Sequence, residues 1–156
     1  MSAPPVVVRR ERVIPIPADV LWGLIEPAET LPSWLPMGAS CVRLEGEGLG
    51  RTQRLSTRWG RRTVEIDQRV TAYEPNSLLR WVHTDERIDG VPARRWSIEV
   101  TMTIRLIPTG PGTRVALESR SVPASPMARV FIRLVAARRI VRAFERGLAA
   151  LADAST

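Results

Sequence analysis

From Ser40 to Val122 the apolar residues of this chain recur at every second position, and that period decides most of what it can build. Successive side chains of a strand point to opposite faces, so such a run makes a sheet with one apolar and one polar face. The stretch 94–107 is the clearest: Trp96, Ile98, Val100, Met102, Ile104 and Leu106 share one face, and Arg95, Ser97, Glu99, Thr101, Thr103 and Arg105 the other. The same reading predicts strands near 40–45, 50–59, 62–73, 78–85, 94–107 and 113–122. Turn-forming segments separate them: EGEGLG, WGRR, EPNS, DERIDG and PTGPGT. The alternation turns Val64, Ile66, Gln68, Val70 and Ala72 inward, with Leu79, Trp81 and His83 on the next strand. Val115, Leu117, Ser119 and Ser121 follow on the last, while Leu55 and Trp59 carry Gln53 and Thr57 with them.

The flanks of this block have a different pattern. VVVRRERVIPI at 6–16 reads as a first strand. PADVLWGLIE then reads as a helix, with Pro17 suited to its first turn and Val20, Leu21, Leu24 and Ile25 as its apolar face. Pro27 stops it, and a second short helix near 29–35 holds Trp34 between Pro32 and Pro36. After VPASP one helix is predicted from Ser125 to Asp153, about 40 Å long, with Ser125 as N-cap and Pro126 at the first helical position. Its apolar stripe is Met127, Val130, Phe131, Leu134, Val141, Phe144 and Leu148, with Arg138 and Glu145 within roughly 60° of its centre. The expected chain is therefore α+β, with one strand, two short helices, six antiparallel strands and a long final helix. No repeat or long linker divides it, so 1–156 reads as one domain, with residues 1–5 and 153–156 expected to fray.

Composition narrows the function. A chain of 156 residues with 44% hydrophobic content can bury a core without disulfide staples. The one cysteine, Cys41, has no partner for an intramolecular bridge and reads as a buried structural thiol; with no signal-peptide pattern, a reducing cytoplasm is expected. No apolar run reaches the ~18 residues that a membrane span needs. The net charge is +7, and all 23 basic residues are arginines, which fits a GC-rich codon bias better than selection for one partner. They are spread along the chain rather than clustered with aromatics on one element. That argues against nucleic acid and leaves a weak attraction to acidic surfaces. Glu65, Asp67 and Glu99 fall on outward faces, and no phosphate loop, nucleophile elbow or zinc spacing is present, so no cofactor or metal is expected.

The succession VIPIPADVLWGLIEPAETLPSWLP, GLGRTQRL, RRTVEIDQRVTAYEPNSLLRWV, GTRVALES and the long last helix resembles the START-like polyketide cyclase/dehydrase (SRPBCC) superfamily over nearly the whole chain. The landmarks are the PADVLW helix start, the W-L-P segment, V-x-x-Y-E-P at a strand end and G-T-R-V opening the last strand. The resemblance implies a helix-grip fold, in which a curved antiparallel sheet of about seven strands wraps the long helix and leaves a cavity between them. It also implies an apolar ligand such as a lipid, sterol or polyketide, and in some members a cyclisation.

Polar groups set into an apolar lining are what a small-molecule pocket requires. The inward faces supply Gln53, Thr57, Gln68, His83, Ser119 and Ser121, among apolar candidates Trp81, Trp96, Ile98, Val100 and Leu134. Arg138 is a candidate anchor for a ligand carboxylate or enolate. Trp34 is a candidate lid, expected to be partly buried at the cavity mouth. Each has a plainer reading. Buried polar groups are usually just paired, Arg138 and Glu145 can bridge or snorkel, and Trp34 can plug the core. His83, the sole histidine, is either an acid/base or a structural residue. Three functions stay open: a binder or carrier of a small apolar or amphipathic ligand, a cyclase/aromatase-like enzyme acting on a poly-β-ketone, and an interaction protein using its arginine-rich surface.

Overall fold

The computed structural model describes residues 3–154, so the fraying expected of residues 1, 2, 155 and 156 falls outside the described residues. The strands are β1 (Val6–Ile14), β2 (Ser40–Glu45), β3 (Thr52–Trp59), β4 (Arg62–Glu74), β5 (Leu78–Ile88), β6 (Val91–Pro92), β7 (Ser97–Thr109) and β8 (Gly112–Pro123). Helices α1 (Ala18–Ile25) and α2 (Leu31–Trp34), with a 3-10 turn at Ala28–Thr30 between them, follow β1. The chain ends in α3 (Pro126–Phe131), a π-turn (Ile132–Ala136) and α4 (Ala137–Asp153).

The strands pair antiparallel with their neighbours in the order β1-β8-β7-β5-β4-β3-β2, and the two-residue β6 pairs with β5. Because β1 and β2 lie at opposite edges, the segment containing α1 and α2 crosses from one edge of the sheet to the other. The G-T-R-V motif fixes the β1 edge. A Cβ on Gly112 would strike the Ile14 carbonyl, so only glycine lets β8 approach so closely. The next residue, Thr113, is fully buried and donates its Oγ1 hydrogen to the Ile16 carbonyl at 2.7 Å.

The final helix starts as its sequence predicts: Pro126 occupies the first turn and the Ala128 N–H donates to Ser125 Oγ at 3.0 Å. α4 then packs on β1 and β8. Phe144, Leu148 and Leu151 are buried with Ile14, Leu21, Ile25, Leu79, Ile104 and Leu117, all at most 4% exposed. This end of the molecule is sealed.

Four local irregularities correct the simple periodic reading. The π-turn puts extra residues into one helical turn, shifting the two helix halves out of phase with a continuous 3.6-residue projection. Val141 is partly buried and Phe144 and Leu148 are buried as expected, but Met127, Val130 and Leu134 are exposed. Arg138 is exposed, and Glu145 points to the edge strand, 3.6 Å from Arg10. The other three are β-bulges, which insert one unpaired residue and bend the strand. One sits at Thr84, between the pairs Asp67–Asp85 and Gln68–His83. Another sits at Thr71, so Ala72 pairs with Arg80 on the outer face while Tyr73 pairs with Leu79 inside. The third makes Ile98 the extra residue between Ser97–Pro123 and Glu99–Val122, and Ile98 is 59% exposed rather than buried with Val100. DERIDG is not a simple break either. β5 continues to Ile88, and the turn comes at Asp89 and Gly90, both at positive φ. In α1 the buried face is Leu21, Trp22 and Ile25, and Val20 and Leu24 are exposed.

Candidate functional site

Strand register brings the inward polar residues into one row across the sheet. Gln53 on β3 pairs with Gln68 on β4, and Gln68 with His83 on β5. The β5–β7 ladder ends at Val82–Thr101, so His83 adjoins Val100, which itself pairs with Ser121 on β8. Ser119 lies one inward position along β8, opposite Met102. Gln53, Gln68, Ser119 and Ser121 are all buried, at most 6% exposed.

The row is continuous with a hydrogen-bonded chain from the surface. Glu26, just past α1, accepts from Arg51 Nη1 at 2.7 Å and from the Tyr73 hydroxyl at 3.3 Å. Arg51 Nε donates to Gln53 Oε1 at 3.2 Å, and Gln53 Nε2 to Gln68 Oε1 at 2.7 Å. Arg51 is only 4% exposed, so its charge is taken from water and compensated by Glu26. Tyr73 packs edge-on against Trp22, their centroids 5.4 Å apart. Burial first, and Glu26 second, push its hydroxyl pKa up. A surface cleft of about 380 Å³, lined by Glu26, Arg43, Gly48, Arg51 and Tyr73 among others, lies at the outer end of the chain.

At the far side of the row, His83 Nδ1 lies 3.3 Å from Glu86 Oε1. Their spacing of three would put them on opposite faces of a regular strand. The bulge at Thr84 restores Glu86, paired with Ile66, to the inner face. The hydrogen bond from His83 holds the Glu86 carboxyl below the usual carboxylate range, against the opposing effect of burial.

Around this pair the sheet is open. Thr57, Val64, Ile66, Ile88 and Val100 face inward yet are only half-buried. Two aromatic contacts tie this rim to the helix. Trp96 stacks on Phe131 with centroids 4.6 Å apart, and the Arg139 guanidinium lies 4.9 Å from the Trp59 ring. Trp96 and Trp59 remain 39% and 59% exposed, and Ile98 and Leu134 lie on exposed surface of β7 and the π-turn. Trp81 is buried in the floor, one inward position before His83.

Two candidates stand apart from this arrangement. Trp34 is 5% exposed, not partly buried, because its ring packs beneath α4 at Gly147. Its indole nitrogen is buried without a hydrogen-bond partner among the described residues. Arg138 is exposed on α4, rotated off the apolar face by the π-turn. Sequence reasoning missed Glu26, Arg51, Tyr73 and Glu86. Arg51 was within reach, since it precedes Gln53 and Leu55 at the same two-residue spacing in GLGRTQRL. The bulges hid Tyr73 and Glu86. Among the described residues no group of three or more His, Cys, Asp or Glu side chains is placed to hold a metal ion. No described helix is long and apolar enough to cross a membrane.

An antiparallel sheet gripping a long C-terminal helix, apolar inside with a polar row, defines the helix-grip class. Residues 5–156 match the family model described as polyketide cyclase / dehydrase and lipid transport, and the chain belongs to that family. Its fold is shared by the Zhui aromatase/cyclase from Streptomyces sp. R1128, at 15% identity and a TM-score of 0.72, over 96% of this chain and 93% of that one. A Thermus thermophilus protein is similar at 20% identity and a TM-score of 0.72, over 95% of each chain. A Rhizobium leguminosarum protein is similar at 14% identity and a TM-score of 0.68, over 96% and 93%. A comparison with curated protein sequences finds no match. Membership of this family supports binding of a small hydrophobic ligand as the chain's general function.

Proposed function

We propose that the chain works as one cytoplasmic domain that binds a small apolar or amphipathic ligand at the open end of its inner face. The observation that carries this is the contrast between the two ends of the sheet. One end is sealed by α4, while the other leaves half-buried apolar residues around a buried polar row. In this reading Trp96, Ile98, Val100 and Leu134 contact the ligand's apolar body, with Trp81 and Thr57 in the floor. Gln68, His83 and Ser119 meet its polar end, and Gln53 backs Gln68 from behind. Arg138 and Trp34 take no part. The test is displacement of a fluorescent fatty acid from the wild type and from Ile98→Glu. Because Ile98 is exposed, a carboxylate there should leave the urea midpoint nearly unchanged while weakening binding by about tenfold or more. Unchanged affinity would place the ligand elsewhere.

The inward His83–Glu86 pair favours a second reading, cyclisation of a poly-β-ketone with His83 as acid/base. Turnover of such a substrate, lost in His83→Phe with binding retained, distinguishes it from carriage alone.

A further inference from the structure

We infer that the Gln68 side chain presents an amide N–H donor to a carbonyl oxygen of the ligand, and that the Glu26–Arg51 pair fixes its orientation from the surface. The inference rests on the ligand-binding reading above and specifies the chemistry of the ligand's polar end.

The two ends of a glutamine amide have nearly the same shape, and only the network decides which way each faces. A guanidinium can donate but never accept. Arg51 Nε lies 3.2 Å from Gln53, so the Gln53 oxygen must face it. The Gln53 nitrogen then faces Gln68 at 2.7 Å, and the Gln68 oxygen must accept that bond. What remains at the end of the chain is the Gln68 NH2 group. Gln68 is 2% exposed, on the inner face between Ile66 and Val70, and its side-chain hydrogen bond among the described residues is the one its oxygen accepts, which leaves the amide nitrogen at the small accessible remainder of the residue rather than sealed without a partner. Arg51 cannot turn to relieve the order, since Glu26 holds it at 2.7 Å and is itself held by Tyr73. A nearly buried donor with a fixed direction and no protein partner favours a ligand that brings an acceptor over one that does not. The donor is an uncharged amide, which suits a neutral carbonyl in an otherwise apolar molecule.

The test compares two probes of one shape: 6-propionyl-2-dimethylaminonaphthalene, a fluorescent ketone whose emission shifts red when its carbonyl accepts a hydrogen bond, and 6-propyl-2-dimethylaminonaphthalene, which lacks the carbonyl. The wild-type chain should bind the ketone about tenfold more tightly, with the bound emission to the red of that in the Gln68→Met complex. Gln68→Met should abolish both the preference for the ketone and the shift. Arg51→Met should reduce the preference with Gln68 intact, because both amides become free to turn. Equal wild-type affinities, or an undiminished preference in Gln68→Met, overturn the donor assignment and leave the ligand-binding reading standing. An undiminished preference in folded Arg51→Met overturns control from the surface. Should Arg51→Met lose its fold, the wild type and Gln68→Met still decide the donor. If neither probe binds the wild type, the ligand-binding reading fails and the inference falls with it.

Discussion

Burial pushes the Cys41 thiol up to about 11, opposed by Arg51 and reinforced by Glu29. At pH 8 roughly one native molecule in a thousand then carries the reactive thiolate, and the side chain is also only 3% exposed. Iodoacetamide at pH 8 should therefore label the protein only as fast as it unfolds, and rapid labelling without denaturant would contradict the packing. Trp34 shows the same dependence on surroundings. A Cβ at Gly147 would meet Leu35 Cδ1 at 3.1 Å and Trp34 O at 3.2 Å, so glycine makes room for the α2–α4 contact. Trp34→Ala should cost about 3–5 kcal/mol in a urea melt, as for a buried core aromatic. Trp34→Phe should cost clearly less, because it also removes the unpaired indole N–H. A loss under about 1 kcal/mol for the alanine variant would return Trp34 to the role of an exposed lid.

Individual elements were legible where the periodicity was regular. The strands read at 40–45 and 62–73, observed at Ser40–Glu45 and Arg62–Glu74, and the capped helix start at Ser125 come from alternation and turn chemistry alone. The alternation could not give the places where one residue is added. The bulges at Thr71, Thr84 and Ile98 and the π-turn leave no mark in local hydrophobicity, yet each resets the phase of the residues beyond it. That is why Glu86 and Tyr73 were missed and why Arg138 and Leu134 projected inward. The outer faces of β3, β4 and β5 are joined by charge. Asp67 on β4 accepts from Arg54 on β3 at 2.8 Å and from Arg87 on β5 at 3.0 Å. The hydrogen bond from Arg54, then that from Arg87, holds its carboxyl below the ordinary value, although burial works against them. A depressed folded-state pKa contributes stability that is complete above the unfolded value and lost as pH falls through the folded one. Asp67→Asn should therefore lower the urea midpoint at pH 7, with the two proteins converging as pH drops below about 4. A constant gap down to the acid limit would remove Asp67 ionisation from the stability of this face.

At the scale of the whole molecule, the edge-to-edge crossing by α1 and α2 and the packing of α4 on β1 and β8 close one end of the grip. The π-turn and the β3–β4 and β5–β6 hairpins frame the other. The five tryptophans sample both ends. Trp22 and Trp34 lie in the sealed core, Trp81 in the floor, and Trp59 and Trp96 at the open rim. Their indole N–H signals in a 1H–15N correlation spectrum, followed while the protein is titrated with a fatty acid, test directly where a ligand binds. A ligand at the open end should shift Trp59 and Trp96 to saturation, with Trp81 following and Trp22 and Trp34 holding still. Shifts at Trp22 and Trp34 with Trp59 and Trp96 unmoved would contradict it.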